Sequence, residues 1–218
     1  MEYFLNIHLQ NSRLLSEGPL KSVAKAYPER TQLHDLIFSA ERSAMATPIT
    51  SSATESVWDY PRPPRLELVH NYIRIVHCGI LVAETARSLR VLETSHPPVY
   101  YIPHANIAMH LLKPSPRPET MCEFKGLATY WSVDLTLDPL LNLSQSPCAV
   151  SLDAAWSYVQ PFPAYAELRN HVAFYADRVD ECTLDGERVI PQPGDFYGGW
   201  ITSNITGPFK GPTGTQTS

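Results

Sequence analysis

Four polar side chains lie inside otherwise apolar blocks, and their types are those of proton-transfer chemistry. Glu93 closes a run containing Leu89, Val91 and Leu92, and His96 follows three residues later, between Ser95 and Pro97-Pro98. A carboxylate shielded from water has a raised pKa and can act as a general base, and a nearby histidine can relay or orient the proton. Lys125 stands between Phe124 and Gly126, where it can bind an anion or a carbonyl oxygen, and the glycine would let a ligand approach the backbone closely. Tyr130 can donate a phenolic hydrogen bond, as can Tyr101 and Tyr158. Trp156 reads as pocket wall or core, and Cys122 as a thiol three residues from Lys125 with no histidine beside it. Each residue also has an ordinary reading. Glu93 alone reads as a solvated strand end, His96 as turn packing, Lys125 as a surface charge and each tyrosine as amphipathic core. Ser95-His96 is not a triad, because adjacency in sequence does not supply the geometry.

These residues must be positioned by strands. YIRIVH (72–77) alternates apolar and polar, Cys78-Gly79 marks a turn, and ILVAE (80–84) reads as the hairpin partner. SLRVLE (88–93) and VYYI (99–102) follow as further strands. HANIAMHLL after Pro103 allows one short helix, stopped by Pro114, Pro116 and Pro118. GLATYWSVDL (126–135) has the clearest alternation, and residues 138–151 look like an inserted loop. AAWSY, HVAFYADRV and ECTLDGERV complete the pattern, the last with an Asp185-Gly186 hairpin signal. The fold expected is mainly β, a single domain of short antiparallel strands with one or two short helices.

Composition agrees. The 218 residues include 20 prolines, and interior proline costs a helix about 3 kcal/mol, which excludes a helical bundle. A formal net charge of −5 removes the footprint of a general nucleic-acid binder, and no apolar run is long enough to span a bilayer. Residues 1–54 balance five basic against five acidic side chains, so the whole excess of negative charge lies in 55–218. That first segment reads either as a poorly ordered extension or as a mis-assigned start, with Met45 the alternative first residue. It has neither a basic leader nor a long apolar run, so a cytoplasmic location is expected and the four cysteines default to free thiols. Their spacing contains no CxxC pair, and no metal site is expected. The tail 191–218 is rich in Gly, Pro and Thr; Phe196, Tyr197 and Trp200 should pack on the domain, with about the last ten residues mobile.

Three separated blocks carry a resemblance. VLETSHPPVYYIP, TMCEFKGLATYWSV and DAAWSYVQPFP with HVAFYADRVD resemble the domain-of-unknown-function 427 family, over about Val57–Arg188. ESVWDYPRPP and the FYGGWIT…GPFKG tail resemble its longer members. The usual family string C-P-W-K-G-x-A-x-Y here has Glu123 and Phe124 for Pro and Trp, and the 138–151 insert is a second departure. The resemblance implies a compact β-tent-like fold of two small antiparallel sheets over 55–190, and it implies a pocket position for Glu93. The family also carries a nucleotidyltransferase-like label. The sequence does not support that chemistry, since it has no Gly-Ser dipeptide and no D-x-D carboxylate pair.

Two functions remain open. One is an enzyme without metal, nucleotide or other cofactor that moves a proton on a carbonyl compound, as an isomerase, dehydratase or cyclase (a lyase or isomerase type), in specialised metabolism. Glu93 would move the proton, His96 relay it, and Lys125 with Tyr130 stabilise the oxyanion, while Tyr101, Cys122, Trp156 and Tyr158 line the substrate site. The other is a non-catalytic domain that binds a small ligand or a partner.

Overall fold

A computed structural model describes residues 53–143 and 145–211, all within one compact unit. The expectations for residues 1–52 and 212–218 lie outside the described residues. Among the described residues sixteen short strands run in chain order. The first eight are β1 (Glu55–Ser56), β2 (Arg65–Val69), β3 (Ile73–His77), β4 (Ile80–Thr85), β5 (Ser88–Leu92), β6 (Val99–Pro103), β7 (Leu112–Pro114) and β8 (Thr120–Cys122). The rest are β9 (Gly126–Asp134), β10 (Val150–Ser157), β11 (His171–Phe174), β12 (Glu181–Leu184), β13 (Glu187–Arg188), β14 (Ile190–Pro191), β15 (Trp200–Ile201) and β16 (Ile205–Thr206). The domain is therefore mainly β. The short helix expected after Pro103 is two separate 3₁₀ turns, His104–Asn106 and Met109–Leu111.

The main sheet has the order β2-β5-β6-β11-β10-β9-β7, with β8 also paired to β9, and every pairing is antiparallel. A second antiparallel sheet, β13-β12-β3-β4, is built from two hairpins. Their two-residue loops, Cys78-Gly79 and Asp185-Gly186, put both residues at positive φ, the conformation that matches strand twist and that Asp-Gly favours. Ile73 and Ile75 of β3 are fully buried, as a period-two strand with one face on the core requires. Pro116, Pro118 and Pro163 lie exposed in connections between strands, where a missing N–H costs no ladder bond, whereas Pro64, Pro97 and Pro98 are buried.

Tail and leader both join this body. Trp200 is 1% exposed, stacks on Tyr100 at 5.1 Å and donates its indole N–H to the Phe174 carbonyl. β1 pairs in parallel with β16, and Phe209 packs on Val57, Tyr60, Leu92 and Ile205. Tyr60 donates to Glu55, whose other oxygen meets Arg90 at 3.0 Å.

One sequence expectation is corrected. Cys78, in the β3–β4 turn, and Cys148, just before β10, form a disulfide instead of two free thiols. The insert folds back through 3₁₀ turns at Leu135–Leu137 and Pro139–Leu141, which brings the two Cα atoms to 5.6 Å, within disulfide reach. Spacing of 70 residues gave no hint of this approach. Cys122 and Cys182 remain thiols, and burial pushes the Cys182 thiol well up. Among the described residues no helix is long and apolar enough to cross a membrane.

Closing a loop of this length stabilises a domain by about 2–4 kcal/mol. Cys148→Ser should lower the urea-unfolding free energy by that amount, and reducing agent should do the same to the wild type but not to the variant.

Candidate functional site

The strand pairings explain which side chains meet. Trp156 of β10 lies directly opposite Tyr130 of β9 on one side and Ala173 of β11 on the other. Leu89 of β5 faces Tyr101 of β6, and Val91 faces Val99. Residues opposed across a sheet share a face, so these side chains all project from the same side, together with Ala128 two residues before Tyr130 on β9 and Tyr158 just past the end of β10. On β9 this is the face of Ala128, Tyr130 and Ser132, all buried, while Leu127 is 40% exposed. The small Ala128 leaves part of the space that the aromatic residues enclose.

The result is a cavity of ≈ 340 Å³. All eight residues singled out from the sequence line it: Glu93, His96, Lys125, Tyr130, Tyr101, Cys122, Trp156 and Tyr158. Trp156 Nε1 donates to Tyr101 Oη at 3.3 Å, and Tyr130 Oη lies 2.7 Å from Thr120 Oγ1. Burial pushes the phenols of Tyr101 and Tyr158 well above the ordinary tyrosine range, so both remain neutral donors.

Glu93 and His96 are brought together by a tight turn. His96 N donates to the Glu93 carbonyl at 3.0 Å, and Ser95, at the third position, has φ +70°. Lys125 is 7% exposed and its Nζ lies 3.5 Å from Glu93 Oε2. Glu93 Oε1 meets Arg62 Nη1 at 3.4 Å, and Arg62 also pairs with Glu123. His96 Nδ1 lies 3.0 Å from the Thr94 carbonyl, which can only accept, so the neutral ring carries its proton there. Nε2 bonds to no described residue and is left with its lone pair. Burial lowers the His96 pKa below the ordinary value, with Lys210 and Lys125 adding to the effect and Glu93 opposing it. The imidazole is thus neutral near pH 7.

Gly126 has a different reason from the one expected. Its φ is +102°, and a Cβ would lie 3.4 Å from the Gln160 carbonyl oxygen. The chain turns there so that the Lys125 carbonyl accepts from Phe162 N at 3.1 Å. The glycine serves the backbone and its neighbouring loop.

Several lining residues were not singled out from the sequence: Arg62, Tyr175, Gln192, Phe196, Tyr197 and Lys210. Tyr175 lies in the quoted HVAFYADRV block, just past β11 with its backbone still extended, two residues after Ala173 and so on the same face, and alternation was the signal that could have found it. The others come from the proline-rich leader and the tail, which local pattern leaves unplaced. The tail's seat is specific. Tyr175 Oη donates to the Phe196 carbonyl at 3.1 Å, Tyr197 meets His96 edge-on at 4.8 Å, and Lys210 N donates to the Ser95 carbonyl at 2.7 Å. Among the described residues no group of three His, Cys, Asp or Glu side chains is arranged as a metal site.

Residues 65–185, more than half of the chain, match the family model described as a domain of unknown function, DUF427. No curated protein matches the chain.

Gly198 packs closely against Trp156; a Cβ there would lie 2.2 Å from the indole. Gly198→Ala must therefore push the indole or the tail away. We expect a loss of about 1–3 kcal/mol in urea unfolding, the usual cost of overpacking.

Proposed function

The chain belongs to the DUF427 family, and from its cavity we propose that it moves a proton on a small carbonyl compound without a metal or nucleotide, as an isomerase, dehydratase or cyclase does. One observation carries the reading: a neutral histidine with an unoccupied Nε2 shares an aromatic-walled cavity with a nearly buried lysine. His96 Nε2 takes the proton α to the carbonyl. The developing oxyanion is met by the Lys125 ammonium and the Tyr130 hydroxyl, whose own oxygen can accept from Thr120. The imidazolium then returns its proton elsewhere on the substrate, giving an isomer, or to a leaving hydroxyl, giving a dehydration.

Glu93 has a supporting part in this scheme. Each of its oxygens already meets a cation, so accepting a substrate proton would mean giving up one of those contacts. It holds Lys125 in place and offsets the charge that appears on His96. Tyr101, Tyr158, Cys122 and Trp156 shape the space and exclude water. The competing reading is a domain that binds the same class of compound and leaves it unchanged, which the same aromatic lining supports.

Hydrogen–deuterium exchange separates the two. A panel of 2-oxo acids, 1,3-diketones and hydroxy ketones is incubated with the protein in D₂O and followed by proton NMR. The enzyme reading expects α-proton exchange in at least one member, lowered about 10²–10⁴-fold in His96→Gln. Glu93→Gln should retain more activity than His96→Gln. Binding without exchange supports the competing reading, and exchange unaffected by His96→Gln removes the base. The pH profile carries a sign as well. The working form is the neutral imidazole, and burial lowers its pKa from the ordinary histidine value, so the rate should be level at neutral pH and fall only at a more acidic pH than an exposed histidine would give.

A further inference from the structure

The charges around the cavity do not cancel within it. Arg62, Lys125 and Lys210 are positive, Glu93 and Glu123 negative, and His96 neutral, which leaves one positive charge in excess. The chain as a whole has a net charge of −5, so this local excess runs against its composition. The two carboxylates are both taken, Glu93 by Arg62 and Lys125, and Glu123 by Arg62.

Lys210 is different. Among the described residues no carboxylate pairs with its ammonium, which sits 5.0 Å from the centre of the Tyr197 ring. Its side chain is exposed at the cavity rim while its backbone is fixed on both sides. Lys210 N donates to the Ser95 carbonyl at 2.7 Å, and its own carbonyl accepts from the buried Gln192 Nε2 at 2.9 Å. Farther in, Lys125 uses one of three ammonium donors on Glu93 and has the others to give. The walls between are flat aromatic surfaces, chiefly Tyr101, Trp156, Tyr158 and Tyr175.

We infer that the cavity takes a monocarboxylic acid with a flat aromatic or unsaturated body, and that Lys210 is the specificity-determining residue that holds the carboxylate at the rim. The inference rests on the cavity being the substrate site proposed above. An excess of a single charge suits a monoanion better than a doubly charged phosphate ester. A carboxylate anchored at the rim leaves the carbonyl oxygen for Lys125 and Tyr130, deeper in. Lys210 lies outside the family-matched residues 65–185, so this selectivity would be set by the tail and not by the family core.

Calorimetric titration of the full chain with phenylpyruvate and with its uncharged methyl ester tests this. We expect the acid to bind at least tenfold more tightly than the ester. Lys210→Gln should weaken the acid about tenfold and leave the ester unchanged, while Lys210→Arg keeps the preference. Lys210 is exposed, so neither variant disturbs the core. Acid and ester binding alike, no binding of the acid, or an unchanged acid affinity in Lys210→Gln would each overturn the inference. Selective binding of the acid with no proton exchange in D₂O would sink the proton-transfer reading and leave this one standing.

Discussion

A nearly buried ammonium needs a carboxylate, and in this domain that need ties together the two distant sides of the main sheet. Glu93 follows β5 and Lys125 precedes β9, with β6, β11 and β10 between them. In a flat sheet four strand spacings would separate the two strands by about 19 Å. Their side chains nevertheless meet at 3.5 Å. Both residues lie just outside their strands, so the turn after β5 and the segment before β9 lean toward each other over the sheet face and their long side chains close the gap beside the cavity that both line. Removing one partner of a buried pair costs about 3–5 kcal/mol because it leaves the other charge without compensation; the cavity opening moderates that figure here.

The same pairing sets up the side chains around it. Arg62 reaches Glu93 from the leader before β2, so the carboxylate is held from two sides and cannot swing away. The Glu93–His96 turn then puts the imidazole beside it, with the Thr94 carbonyl selecting the tautomer. Ser95 occupies a left-handed position that a side chain adopts at some cost, and the turn is held there from outside. Its amide donates to the Val57 carbonyl at 2.9 Å and its carbonyl accepts from Lys210 N at 2.7 Å. Leader and tail act as two clamps on one turn, so the site depends on segments beyond the family core.

The tail reaches its place through two adjacent glycines. Tyr100 and Tyr101 point to opposite faces of β6; the chain passes Trp156 and Tyr175 on the cavity face at Gly198, and stacks Trp200 on Tyr100 at the other. A Cβ on Gly199 would lie 2.6 Å from Gln192 Oε1 and 2.7 Å from the Pro97 carbonyl. No larger residue fits that passage without moving its neighbours. The order of this crossing matters for the cavity, because it delivers Tyr197 to the edge of His96 and Lys210 to the rim.

Much of the architecture was legible locally. Alternation in 72–77, 80–84, 88–93, 99–102 and 126–135 located β3, β4, β5, β6 and β9 to within a residue or so, because a half-buried strand must alternate. The Asp185-Gly186 signal located a hairpin, because few other residues accept two successive positive φ values. Alternation also sorted β9 into its two faces, but it could not say which one was inside. Bulk would have favoured the Leu127 and Trp131 face, and the cavity took the Ala128 and Tyr130 face, because opposed strands already supplied the aromatics and small residues were needed to leave room.

The amino-acid sequence by itself determined the strands, their turns and a short set of polar residues out of keeping with their surroundings. Tertiary structure alone decided that those residues share one space, that Glu93 meets Lys125, that Cys78 meets Cys148, and that Arg62, Tyr197 and Lys210 complete the lining. The reason is physical. Turn and strand preferences act over a few residues, whereas pairing of charges, thiols and cavity walls depends on strand order and on where the loops and a long tail return, and those are fixed only when the whole core packs.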